Sequence, residues 1–307
     1  MKKTIILTSI FIIIPTIIIT CFYENKQLQT IQLKYFNNIT IRVKRLKSDT
    51  IQTLPLEEYV VGVLAGEIPT YFHMEAIKAQ AVASRTYALK RIEYNKDKEY
   101  DVVDSTLNQV YLDDDYLKSV WKEKYQTNIN NFRTAVNETS GVYLDYQGDV
   151  IDALFFSTSN GYTEDSVLVF GFDVPYLQSV ESTWDEDTSE AFTASTTLSL
   201  QEFYNKLNLP FNDTLSINIT KRSETNRIIT LIINNQEFSG RQVYNALKIK
   251  STDFTIYQEN DKVIIKTKGY GHGVGMSQYG ALGMAKQGYN YQQILNHYYQ
   301  GTTLKNL

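Results

Sequence analysis

The hydropathy of the chain changes period repeatedly, and each change marks an element. The first run is unbroken: Thr4 to Tyr23 carries no charge and is rich in isoleucine. At ~1.5 Å per residue about twenty residues cross a bilayer core, so residues 1–23 read as one transmembrane helix. A cleavable leader has a shorter apolar core and a small-residue cleavage site, which this run lacks. Lys2 and Lys3 hold the N-terminus in the cytoplasm, which puts everything after Glu24 outside. Residues 24–38 are polar and aromatic and read as a stalk. "ITIRVKRL" (39–46) then alternates with period two, as a strand does.

Helical spacing follows. In "LPLEEYVVGVLAGEIP", Leu56, Tyr59, Val60, Val63 and Leu64 share one face. Ile68 precedes Pro69 and disfavours α, so this helix is expected to end near Gly66. A second helix is predicted from about His73 to Tyr94. It carries one stripe of Met74, Ile77, Ala81 and Ala88, small alanines for close packing, and a polar stripe of Gln80, Ser84, Tyr87 and Arg91. A hairpin is expected over 142–159, turning near Gly148-Asp149, and residues 160–183 read as a long structured loop. Over about 190–255 the pattern predicts a helix near 198–207, strands at 215–221 and 227–234, and a helix capped by Ser239. Strands near 254–258 and 262–268, then helices near 276–287 and 291–299, complete the chain. The class is α+β, with mixed helices and antiparallel strands. One lobe over 51–307 is built from N- and C-terminal segments around a middle lobe.

Composition narrows the chemistry. A net charge of −4 and a pI near 5.5 argue against nucleic acid held by bulk charge. The 23 tyrosines supply the aromatic faces and hydroxyls that suit carbohydrate. Cys21, the only cysteine, lies in the apolar run, where it is either a membrane-buried thiol or a lipidation site, so the remainder has no disulfide and no thiolate for zinc. His73, His272 and His297 have no metal-ligand spacing, and no serine sits in a G-x-S-x-G elbow.

Two local features carry candidate chemistry. "GYGHGVGMSQYGA" (269–281) fits neither the dinucleotide fingerprint nor a P-loop. Glycines at 269, 271, 273 and 275 permit positive φ or close backbone approach, around which His272, Ser277, Gln278 and Tyr279 would gather. The same pattern also describes a structural turn with His272 capping backbone groups. Glu67 falls at an elbow between two helices. The C-terminal end of a helix macrodipole favours the protonated carboxyl there, and the start of the next helix opposes it. A general acid and a merely solvated glutamate both fit.

Three blocks in order show a resemblance: "LPLEEYVVGVLAGEIPTYFHMEAIKAQAVASRTYAL", "FFSTSNGYTEDSVLVFGFDVPYLQSV" and "GYGHGVGMSQYGALGMAKQGYNYQQILNHYY". With the weaker "DSTLNQVY" and "GRQVYNALKIKSTDF" between them, the chain from about residue 50 onward resembles the stage II sporulation protein D family of peptidoglycan lytic transglycosylases. The resemblance implies cleavage of the β-1,4 bond between N-acetylmuramic acid and N-acetylglucosamine, leaving a 1,6-anhydro end, with Glu67 as the acid. It implies action on glycan strands stripped of stem peptides during engulfment. Implied partners are the stage II sporulation proteins P, an amidase, and M, at the cell membrane through the N-terminal helix. It also offers Arg85, Gln109, Tyr111, Ser157, Tyr176, His272, Ser277, Gln278 and Tyr279 as groove residues, with core or scaffold the alternative at each. Asp152, Glu164 and Asp165 stand as unassigned acids. A non-catalytic peptidoglycan-binding enhancer of an amidase is the alternative function.

Two departures from the family pattern stand out. Some members bind zinc through two Cys and two His in the stretch that here reads "KDKEYDVVDSTLN" (96–108), so no metal and no cofactor are expected. Where the family has His-Ser-Thr-Ser-Gly-Gly, this chain has Phe156-Ser157-Thr158-Ser159-Asn160-Gly161.

Overall fold

The computed structural model describes residues 29–35 and 38–307. The expected anchor over residues 1–23, with Cys21, lies outside the described residues. Among the described residues no helix is long and apolar enough to cross a membrane.

β1 (Thr40–Arg45) pairs antiparallel with β2 (Thr50–Pro55). Ile41 and Val43 point inward, while Arg42 and Arg45 reach out to Asp101 and Asp104. α1 (Leu56–Glu67) starts at once, with Pro55 fixing φ at −56° ahead of the first turn. Ile68 is extended (φ −129°, ψ 148°), as a residue before proline must be, and it stops the helix at Glu67, one residue beyond Gly66.

α2 (Met74–Tyr94) is capped by His73, whose Nδ1 accepts from Glu75 N at 3.3 Å. From Ala76 to Leu89 every residue except Lys78 is buried, so this is a central rod and the expected single stripe is incomplete. β3 (Val102–Val103) adds in parallel to β1. α3 (Asp114–Trp121) and α4 (Tyr125–Glu138) follow, then β4 (Val142–Tyr146) and β5 (Asp149–Val150). The rod packs against α1, α4 and β4. Its alanines make this possible, since a larger side chain would hold those neighbours away. Residues 29–35 lie along α4, where Asn130 and Asn137 hydrogen-bond their backbone.

The expected hairpin over 142–159 is shorter than its pattern, with only Asp145–Tyr146 meeting Asp149–Val150. The chain then leaves through β6 (Phe155–Phe156), β7 (Gly161–Tyr162), α5 (Ser166–Phe170), β8 (Glu181–Ser182) and α6 (Asp185–Thr188). A second hydrophobic core gathers β9 (Thr193–Ser199), α7 (Leu200–Lys206), β10 (Ile217–Arg222), β11 (Ile228–Ile233), β12 (Gln236–Ser239), α8 (Gly240–Leu247), β13 (Phe254–Glu259) and β14 (Lys262–Lys268). β13 and β14, expected near 254–258 and 262–268 as the lead into the glycine-rich loop, share this core through Ile256, Val263 and Ile265. Its first and last strands pair (Thr193↔Lys268), so the chain leaves and rejoins the body at one place.

The body closes with β15 (Met276–Ser277), α9 (Gln278–Lys286), α10 (Tyr291–Tyr298) and β16 (Thr303–Asn306). α9 and α10 cover the remaining side of α2, and β16 pairs with β4 along Val142–Asp145. β4 is therefore the central strand, with β16 on one edge and β5 on the other. The architecture is α+β with mainly antiparallel strands, and one core joins residues before 180 to residues after 273.

Candidate active site

A cleft of about 640 Å³ opens between the body and the second core, and Glu67 lines it. The body contributes Asn108, Phe155 to Ser157, Glu164 and Tyr270 to His272, and the facing wall contributes Arg227, Arg241 and Tyr244.

Glu67 reaches the cleft because the chain at 110–112 passes unusually close to α1. Gly62 and Gly66, one turn apart, have no Cβ to prevent it. A methyl on Gly62 would stand 2.3 Å from the Tyr111 ring, and one on Gly66 2.5 Å from Val110 O. Leu112 N donates to Gly62 O at 3.2 Å, and Val110 N donates to Glu67 Oε1 at 2.6 Å. Burial raises the Glu67 pKa above the ordinary carboxylate value, and the Val110 N–H and the Gln278 amide pull it partly back. The net direction is upward, toward a carboxyl that keeps its proton.

The glycine-rich loop is threaded between the two walls. Gly269, Gly271, Gly273 and Gly275 all have φ between 80° and 112°. A Cβ on Gly273 would lie 2.7 Å from the Arg227 guanidinium, and one on Gly275 2.1 Å from Leu154 O. Both freedoms expected of these glycines, left-handed backbone and close approach, are therefore used. His272 Nδ1 accepts from Val274 N at 3.1 Å, so its proton is on Nε2, which faces Phe155 O at 3.1 Å. Burial pushes its pKa down to about 4, and the imidazole is neutral.

The other sequence-derived candidates separate into cleft and scaffold. Ser157 lines the cleft beside His272. Gln278 is buried beside Glu67, and Tyr279 joins the outer side of the elbow, its hydroxyl 3.1 Å from that of Tyr71 and its ring edge-on to Phe72. Ser277 is fully buried. It caps α9 and donates to Asp185 Oδ1 at 2.5 Å, within a cluster where Ser159 and Ser182 also donate to that carboxylate. Gln109 accepts from Tyr59 OH at 3.1 Å, and Tyr111 stacks on the Tyr59 ring at 5.5 Å. These two hold the extended segment that carries Val110.

Arg85 and Tyr176 do not line the cleft. Arg85 is fully buried with its guanidinium on Glu57 at 2.6 Å, inside the packing of α1, α2 and β4. Its charge is compensated there, so it does not orient Glu67. The Tyr176 hydroxyl accepts from Asp152 N at 3.1 Å, and its ring packs on Tyr146.

The residues that sequence reasoning missed include Val110, a backbone donor with no side-chain signal, and Asp185, which sits among other acids in "WDEDTSE" with nothing to single it out. Arg227, Arg241 and Tyr244 belong to the facing wall, and only the tertiary fold brings them near Glu67. Of the unassigned acids, Asp152 pairs with Arg91 and Asp165 Oδ1 accepts from Ser179 N. Glu164 does line the cleft. Its Oε2 accepts from Ser223 at 2.6 Å and Thr225 at 2.5 Å, with Arg227 Nε 4.0 Å away.

Comparison with known proteins bears on what this cleft belongs to. Residues 44–146, which include Glu67 and Val110, match the family described as Stage II sporulation protein. Stage II sporulation protein D of Bacillus amyloliquefaciens is 40% identical over 272 residues, covering 87% of this chain and 78% of that protein. Its counterpart in Bacillus subtilis (strain 168) is 34% identical over 321 residues, covering 97% and 93%. The chain belongs to the stage II sporulation protein D family. A protein named Amidase enhancer, also from Bacillus subtilis (strain 168), is 31% identical over 301 residues, covering 79% of this chain and 40% of that one.

Within that family, the two departures in "FSTSNG" have definite surroundings. Phe156 packs its ring 5.7 Å from the His272 imidazole and against Gly271. Asn160 Nδ2 donates to Thr225 O at 2.7 Å and to Asp253 Oδ2 at 2.8 Å, tying the body to the second core.

Proposed function

We propose that this family member is a membrane-anchored lytic transglycosylase that cleaves peptidoglycan glycan strands during sporulation, with Glu67 as acid and then base. The observation that carries the reading is the contrast between the two carboxyls lining the cleft. Glu164 is saturated by two hydroxyls beside Arg227, whereas Glu67 has one backbone donor and a pKa raised by burial. A retaining or inverting hydrolase needs two working carboxyls about 5–9.5 Å apart. One suffices when the substrate supplies the nucleophile.

Glu67 would give its proton to the glycosidic oxygen as the bond to C1 breaks. The resulting carboxylate then takes the proton of the muramoyl 6-hydroxyl as that oxygen bonds to C1. No water is consumed, and the tethered hydroxyl has a high effective concentration. The acid form is required first, so activity falls as pH rises through the raised Glu67 pKa. Its alkaline limb is shifted upward from the ordinary glutamate value. The full-length chain in detergent is expected to release anhydro-ended products, and Glu67→Gln to lower that rate by about 100-fold or more. Reducing-end products, or an undiminished rate in the variant, would overturn the assignment. The proposed setting includes the N-terminal anchor in the cell membrane, glycan freed of stem peptides, and the sporulation proteins P and M alongside.

The likeness to the Amidase enhancer supports a second reading, a glycan-binding enhancer of an amidase. Stimulation of an amidase that persists in Glu67→Gln, with no anhydro product from the wild type, would select it.

A further inference from the structure

Gln278 stands out among the buried polar groups. Only 6% of it is exposed, and its Nε2, although near enough to Glu67 to act on that carboxyl, stands within hydrogen-bond distance of no acceptor. A buried N–H without an acceptor is costly, and structures rarely keep one without a reason. Gln278 cannot easily turn away. It is the first residue of α9, next to Ser277, whose hydroxyl is held by Asp185 at 2.5 Å and meets Gly280 N at 3.3 Å. The acid Glu67 lies beside the amide, and this contact favours the carboxylate form. The other contact to that acid, Val110 N–H, is a fixed backbone donor.

We infer that Gln278 is a positioning residue for Glu67: its Nε2 donates to the Glu67 carboxyl as that group loses its proton, and releases it when the proton returns. The inference rests on the acid–base reading of Glu67 and reassigns Gln278, which the sequence resemblance offered as a sugar contact. A neutral carboxyl offers a weak acceptor, and a carboxylate a strong one. One donor fixed by the backbone and one engaged only by the charged form let a single residue act first as acid and then as base. Asp185 has a structural part in this, since it anchors the serine that orients Gln278.

The test compares Gln278→Leu and Gln278→Met with wild type in the full-length chain, both variants removing the donor while keeping bulk. The Glu67 titration is read directly by carbon NMR on glutamate-labelled protein, which requires no activity. The Glu67 pKa is expected to rise by about half to one pH unit in both variants. In turnover, the alkaline limb of kcat/KM should move up by the same amount and kcat fall about 10-fold, with KM nearly unchanged. An unshifted Glu67 titration in a folded variant overturns the inference, and so does a rise in KM with the pH profile unmoved, which marks a sugar contact. If wild type makes no anhydro ends while the titration still shifts, the enzymatic reading fails and the coupling of Gln278 to Glu67 stands.

Discussion

His272 shows how much of a residue's role depends on its surroundings. In the sequence it is the central histidine of a glycine-rich loop and suits either catalysis or capping. In the structure both ring nitrogens face backbone groups, and burial holds its pKa down at about 4. The sign of the linkage follows: the unfolded chain, with a histidine pKa near 6.5, takes up this proton first as the pH falls. The stability contribution is therefore complete above about pH 6.5 and is lost as pH falls toward 4, by at most about 3 kcal/mol. Glu67 and Asp185, whose pKa values are raised, act in the opposite direction, so the wild type is compared with His272→Gln. Denaturant unfolding between pH 7 and 4.5 should show wild type losing more stability than the variant. Parallel losses would contradict it. Arg85 teaches the converse lesson. Its place in a conspicuous block suggested the groove, yet it is buried against Glu57 in the core.

At the scale of elements, α1 and the loop segment 110–112 beside it form the device that presents Glu67. An exposed helical Gly→Ala change ordinarily stabilises by up to about 1 kcal/mol. At Gly66 the added methyl meets Val110 O at 2.5 Å, so the opposite is expected. Gly66→Ala should cost about 1–2 kcal/mol, speed amide exchange at Val110 and lower glycan cleavage about 10-fold or more. A stabilised variant with Val110 still protected would show that the close approach is not needed. α1 and α10 were legible from the sequence pattern, as were β11 and β14, although α1 is buried on nearly all sides and not on one face alone. β9 was not: "TASTTLS" has little hydrophobic alternation and is a strand because it pairs with β14. β16 is likewise made by β4. α4 has Ile129, Phe132, Ala135 and Val136 at helical spacing, a signal that was present and unread.

At the scale of the whole molecule, the cleft exists because the second core is tied to the body by polar bridges. Asn160 reaches Thr225 and Asp253, Glu164 reaches Ser223 and Thr225, and Arg241 donates to Val169 O at 2.7 Å. Asn160→Ala leaves the Asp253 carboxylate and the Thr225 carbonyl one donor short, and should destabilise the protein by about 1–3 kcal/mol. Fast hydrogen exchange is then expected at residues 223–227 while α2 stays protected. Uniform loss of protection would mean that the bridge supports the whole fold and not this junction.

Local order was set by the chain itself. Hydrophobic period, proline and the capping serines determine where α1, α2, α8 and α9 begin or end, and the four loop glycines announce a backbone that must bend left-handed and pass close to a neighbour. Which neighbour was decided only by tertiary packing. Val110 comes to Glu67, Arg227 to Gly273 and Asp185 to Ser277 across tens of residues or more. Those contacts depend on buried volumes and paired polar groups, which no local period encodes.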